Sequence, residues 1–286
     1  MSSTTLVMGA VAYAPKVITI WDGFKSYFGA QGLDFDYVLF SNYERQVQAL
    51  FEGTIDVAWN SPLAWIRAER IGRARGQPVR AIAMRDTDRD LTSVIVVRED
   101  SGIRTVADLR GKRVGVGAID SPQATLIPLD YLRGQGLDPG KDFSVRRFDV
   151  LGGKHGDHIG GERDAAVALM AGELDAACMI DGNHLLFATE GTLPIGRTRV
   201  LAQTPGYDHC NFTVTERARG EQVERLHRLL MSMSYADAAV RPLLDLEGLK
   251  AWKDGRTSGY ALLEKAVDAA RFYDAQGTIV EPDYRY

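Results

Sequence analysis

The chain has 286 residues, 45% of them hydrophobic, and its 34 basic and 38 acidic side chains leave a formal charge of −4. That length and apolar content support one large or two ordinary domains with well-formed cores. The charges are interspersed without a basic arm or stripe, which excludes a nucleic-acid surface, and no apolar run approaches the roughly 18 residues of a membrane helix.

The apolar run Leu6 to Ala14 ends in Ala12-Tyr13-Ala14, yet no positive segment precedes it, so it reads as a first buried strand ending at Pro15. The protein is therefore expected to be cytoplasmic as written, and periplasmic if an export signal preceded this numbering. A helix around Ile20 to Gly29 and a strand from Asp36 to Phe40 follow. Next comes YERQVQALFEGTIDVAWNSP (Tyr43 to Pro62), which is echoed by ERDAAVALMAGELDAACMID (Glu162 to Asp181). Aligning Gly53 with Gly172 also aligns Asp56 with Asp175. In each copy an amphipathic helix ends at a glycine suited to the left-handed C′ position, and a short strand follows.

Thr92 to Asp100 (TSVIVVRED) reads as a strand leading into a second α/β series: strand Arg113 to Val116, helix Leu126 to Gln135, strand Phe143 to Phe148, then the second copy of the repeat. Arg197 to Pro205 is a returning strand. After Cys210 to Val214, helices are expected from Glu216 to about Leu244 and from Tyr260 to about Ala275. Alternating strands and helices predict two doubly wound α/β lobes with parallel sheets, joined by a hinge over a cleft. The expected division is 1–96 with 198–286 for a discontinuous first lobe, and 97–197 for the second.

In open α/β sheets ligands sit beyond the carboxyl ends of the strands. That rule selects Tyr13, Tyr43, Asn60 and Ser61 in the first lobe, and Ser121 to Thr125, Leu151 to His158 and Asp181 to Asn183 in the second. Ser121 before Pro122 suits an N-cap with a first-turn proline, and a helix start favours an anion. Arg85, directly after the strand AIAM, is the basic residue placed to reach an anion.

Two blocks, SNYERQVQALFEGTIDVAWNSPLAWI (Ser41 to Ile66) and TVADLRGKRVGVGAIDSPQATLIPLDYL (Thr105 to Leu132), resemble phosphonate-binding proteins of ABC transporters, which have the type 2 periplasmic-binding-protein fold. The resemblance implies a small-molecule ligand, an ABC permease as partner and no cofactor. In that family a hydroxyl-rich helix mouth grips phosphonate oxygens; by position Ser121, Gln123, Ala124 and Thr125 fall there, though Pro122 and Gln123 depart from the Ser-Thr-Ser pattern. Sulfonate or carboxylate is equally compatible with hydroxyls and an amide. Tyr43 and Asn60 match family positions that line the cleft, Asp181 lies at a strand end, and His158 is the counterpart of a family histidine within a longer, glycine-rich loop.

The alternative is a cytosolic enzyme on the same scaffold, a lyase or hydrolase in which His158, His209 or Cys210 supplies acid, base or nucleophile. Adjacent residues of an extended segment point to opposite faces, so His209 and Cys210 need not pair. The glycines at 156, 160 and 161 oppose a helix through His155, His158 and Glu162, so no metal is expected there, and the histidines of this loop are expected to be solvated or on the ligand.

Overall fold

The structure is a computed structural model that describes residues 5–156, 160–218 and 220–286. Along the chain come β1 (Leu6–Val11), α1 (Lys16–Ala30), β2 (Phe35–Phe40), α2 (Tyr43–Glu52), β3 (Val57–Asn60), α3 (Pro62–Arg75), β4 (Val79–Arg85), β5 (Ser93–Arg98), β6 (Arg113–Val116) and α4 (Ile127–Gly134). Then follow β7 (Ser144–Arg147), α5 (Gly160–Met170), β8 (Ala176–Ile180), α6 (Asp181–Glu190), β9 (Thr198–Gln203), β10 (Asn211–Thr215), α7 (Gly220–Ser232), α8 (Arg241–Glu247), β11 (Trp252–Asp254) and α9 (Ala261–Ala270). Among the described residues no helix is long and apolar enough to cross a membrane.

The chain divides into two compact units, Met1–Arg89 with Asp208–Tyr260 and Tyr273–Thr278, and Asp90–Tyr207 with Ala261–Phe272 and Ile279–Tyr286. The first unit's sheet has the order β11-β4-β10-β3-β1-β2, the second's β7-β6-β8-β5-β9. Both sheets are mixed rather than parallel. Three parallel strands in each meet an antiparallel neighbour, β10 against β3 and β5 against β8. Alternation of strands and helices reveals the parallel βαβ units, but says nothing of a strand that enters the sheet from a distant part of the chain. Both β5 and β9 belong to the second sheet, so the units change at 89/90 and 207/208, not at 96 and 198. The C-terminal third is also split: α9 and the final eight residues go with the second unit. The long helix expected from 216 to 244 is α7, a turn and α8, followed by the short strand β11.

The repeat has a physical basis. Gly53 and Gly172 take φ values of 77° and 78°, the left-handed C′ conformation that lets the strand leave its helix. Asp56 then accepts from the Val7 amide at 2.8 Å, while its own amide donates to Val7 O at 2.8 Å. Asp175 makes the same exchange with Arg113, at 2.8 and 2.9 Å. Each aspartate thus pins the start of its strand to the neighbouring parallel strand and sets the register. The first unit's core joins Trp21, Phe24, Trp59, Phe212 and Trp252; the second has apolar clusters on both faces of its sheet, one with Val96, Leu169 and Phe187 and one with Ile95, Val114 and Leu132.

Candidate functional site

In the first unit, the carboxyl ends of β1 to β3 and the start of antiparallel β10 lie on the same edge, because Asn211 pairs with Asn60 in the register. Tyr13 is half-buried there, with the Lys16 ammonium 5.7 Å from its ring centroid. Ser61, selected from the sequence as a ligand-site residue, caps α3, accepting from the Ala64 amide at 3.1 Å with Pro62 at N1. Tyr43 is not a lining residue on this edge: its ring is buried in a cluster with Val11, Val47 and Phe51. Asn60 is fully buried in a polar chain. Its amide donates to Thr213 Oγ1 (2.9 Å) and its Oδ1 accepts from Gln46 (2.8 Å); Thr213 donates to Asn211 (2.7 Å), Asn211 to Tyr260 (2.8 Å), and the Tyr260 hydroxyl to His209 O (2.7 Å).

Arg85 does not stand ready for an anion. Its Nε and Nη2 donate to the two oxygens of Asp88 at 2.6 and 2.8 Å, Nη1 donates to Glu247 O at 2.9 Å, and the guanidinium lies over the Trp59 ring. Burial would raise the Asp88 pKa, but the charge and hydrogen bonds of Arg85 outweigh it and hold the group at about 2. Burial pushes Glu247 the other way, to about 7, despite the neighbouring Arg85.

His209 and Cys210 do meet, in the stretch just before β10: His209 Nδ1 lies 3.1 Å from Cys210 Sγ. Together with Asp88 Oδ1 these atoms lie within 4.8 Å of one another. The carboxylate, however, already accepts from four donors, three on Arg85 and the Cys210 amide, which fill its lone pairs. With the guanidinium's charge beside it, the set suits an ion pair rather than a metal ion. His209 Nε2 is buried without a hydrogen-bond partner among the described residues. Cys178 is core in the second unit, where burial pushes its thiol up to about 12.

In the second unit, β6 ends at Val116 and leads into the turn to Ser121, which caps the following helix by accepting from the Ala124 amide at 3.2 Å. The first turn, Pro122–Leu126, is π-helical before α4 begins. Pro128 has no N–H for the Ala124 carbonyl, which accepts instead from Gly117 at 3.3 Å, while Leu126 donates back to Ser121 O at 3.0 Å. Ser121, Gln123, Ala124 and Thr125 are all buried. Thr125 Oγ1 donates to Ala118 O (2.7 Å), and Gln123 Nε2 donates to Gly156 O (2.6 Å) and Glu162 Oε1 (3.3 Å). Asp181 is tied to its own unit, accepting from Thr92 Oγ1 and the Gly182 amide at 2.7 Å each.

His155 is fully buried rather than solvated, with φ of 52°; its amide and that of Gly153 donate to Asp120 Oδ2 at 3.2 and 2.7 Å. His158 lies outside the described residues.

Sequence reasoning missed the polar partners of Gln123. Glu162 accepts from Asn183 Nδ2 (2.8 Å) and the Ile180 amide (3.0 Å), yet burial dominates and pushes its carboxyl to about 7. Ser93 donates to Gln123 O at 2.5 Å and lies 2.8 Å from the Tyr207 hydroxyl. Ser93 has one signal, a small polar residue opening an otherwise apolar strand; Tyr207 has none.

Each α/β unit thus has a serine-capped helix start beyond the carboxyl end of a parallel strand, Ser61 after β3 and Ser121 after β6. Residues 10–260 match the model of the family described as ABC transporter, phosphonate, periplasmic substrate-binding protein. The chain belongs to this family.

Among solved structures, PhnD1 from Prochlorococcus marinus in complex with methylphosphonate superposes with a TM-score of 0.70 at 17% identity, over 94% of this chain and 98% of that one. A Xanthomonas citri protein bound to ATP gives 0.72 at 16% identity, with the same coverage. The periplasmic aliphatic sulphonate binding protein SsuA from Escherichia coli gives 0.60 at 20% identity, over 94% and 92%. At these identities the superpositions show that the binding protein shares their fold.

Proposed function

We propose that this protein binds a small organic anion of the phosphonate, sulfonate or carboxylate class and presents it to an ABC permease, in the periplasm, where its family works. The observation that carries the reading is the Ser121–Thr125 turn. It places a capped helix start, a glutamine amide and two hydroxyls beyond the carboxyl end of β6, in a chain matched to phosphonate-binding proteins over residues 10–260. Methylphosphonate and an aliphatic sulfonate, ligands of two proteins of this fold, are the natural probes. Thermal unfolding with each at millimolar concentration is expected to show a higher Tm for at least one, by mass action on the folded state. No shift with either, nor with small carboxylates, would sink the reading.

A second reading rests on the 3.1 Å contact of His209 and Cys210, an imidazole beside a thiol as nucleophilic catalysis requires. Turnover of a bound ligand, lost in Cys210→Ser, would establish it; intact ligand recovered after prolonged incubation would assign the pair to structure.

A further inference from the structure

The helix mouth at Ser121 is filled by the protein itself. Gln123 Nε2 donates to the carbonyl of Gly156 at 2.6 Å, and a Cβ built on Gly156 would lie 2.5 Å from Ser121 Oγ and 2.7 Å from Gln123 Nε2. The glycine therefore sits against the cap in a space no other residue could share. What is left between Ser121, Gly156, Gly161 and Glu162 is a cavity of about 10 Å³, room for a single water at most. A phosphonate or sulfonate group does not fit beside this segment. We propose that Asp149–Gly156 is a built-in competitor for the helix mouth, with the Gly156 carbonyl standing where a ligand oxygen would bind, so that an anion enters only as the segment swings out. This rests on the anion-binding reading above.

The segment is held from outside its own backbone preferences. Asp120 Oδ2 accepts from the Gly153 and His155 amides and from the Tyr284 hydroxyl (3.3 Å), and Asp149 Oδ1 accepts from the Ile119 amide at 2.8 Å. Against these ties, Leu151 and His155 take φ values of 56° and 52°, in the left-handed region that costs any residue with a Cβ. Gln123 Oε1 is also left buried with no partner among the described residues. The docked arrangement therefore carries strain and an unmet acceptor, which makes it displaceable. A neutral carbonyl is a weaker acceptor than an oxyanion for an amide N–H and for a helix start, so a charged ligand competes on favourable terms. Its apparent affinity is the intrinsic one reduced by the fraction of molecules with the segment out.

Two substitutions move that fraction in opposite directions without changing charge. Gly156→Ala puts a methyl group into the cap at a φ of 70° and expels the segment. Leu151→Gly removes left-handed strain at a half-exposed side chain and holds the segment in. Hydrogen exchange at the Gly153 and His155 amides reads docking without a ligand; calorimetry with methylphosphonate and ethanesulfonate reads binding.

In Gly156→Ala exchange is expected to accelerate and binding to tighten about tenfold; in Leu151→Gly exchange slows and binding weakens about threefold. Unchanged exchange in both variants would overturn the proposal, as would faster exchange with weaker binding in Gly156→Ala, which would make the segment part of the ligand's wall. Faster exchange in Gly156→Ala with neither anion bound by any form overturns the anion reading, and the competition with it.

Discussion

At the residue scale, the ionisable groups with the largest consequences for stability are those the fold has taken out of water. Asp88 holds the Arg85 guanidinium through both oxygens, and removing its charge leaves a buried cation short of a partner. Asp88→Asn is expected to destabilise the protein by about 3–5 kcal/mol, measured by urea unfolding at pH 7. Because the folded Asp88 titrates at about 2, below the ordinary carboxylate value, its contribution is present above pH 4 and is lost as pH falls toward 2. Glu162 works in the opposite sense. Its folded pKa of about 7 lies above the unfolded value near 4.5, so the unfolded chain gives up its proton first and stability falls as pH rises between those values. Glu162→Gln is expected to flatten this decline by up to about 3 kcal/mol between pH 4 and pH 8, with Glu247 supplying the slope that remains. A pH profile of unfolding free energy identical to that of the parent protein would refute the burial account of Glu162.

At the element scale, the repeated helix-to-strand unit works because of three local features: a left-handed glycine, a strand of four or five residues, and an aspartate that exchanges hydrogen bonds with the neighbouring strand. Those features stand out in the sequence, since each acts within a few residues of the helix end. β11 is the contrary case. It is three residues long, and its Trp252 joins the aromatic core with Trp59 and Phe212, ring centroids 5.7 and 5.4 Å away. Nothing in WKD announces a strand, because its partner β4 lies some 170 residues earlier. The pairing ends at Gly255, where a Cβ would lie 2.1 Å from the Ala81 carbonyl oxygen. Gly255→Ala is therefore expected to push β11 off β4, costing about 2–4 kcal/mol and moving the Trp252 environment, seen in near-ultraviolet circular dichroism. A parent-like spectrum would mean that the edge has room to yield.

At the scale of the whole molecule, the chain's end serves the second unit. Phe272 and Tyr284 are buried with ring centroids 4.9 Å apart, Lys265 meets Asp130 at 3.1 Å, and the Tyr284 hydroxyl donates to Asp120, which holds Asp149–Gly156. Truncation after Thr278 removes Tyr284 from this arrangement. It is expected to accelerate hydrogen exchange in residues 149–156 at least tenfold and to leave the β1–β3 amides of the first unit unchanged. Uniform acceleration in both units would show instead that the tail stabilises the protein as a whole.

The α/β class, the repeat and the helix start at Ser121-Pro122 were legible in the sequence, because caps, C′ glycines and apolar periodicity act over one to four residues. The matching family blocks added the expectation of a phosphonate-type anion at that start. Tertiary structure alone decided what the polar side chains do. Arg85 is taken by Asp88 and by Glu247, 162 residues away; Asn60 is bonded to Thr213, 153 residues away; and Gln123 is bonded to Gly156, 33 residues away. No local pattern encodes such partners. A buried polar group must find one or bear the cost of desolvation, and only the packed chain determines which groups come within reach.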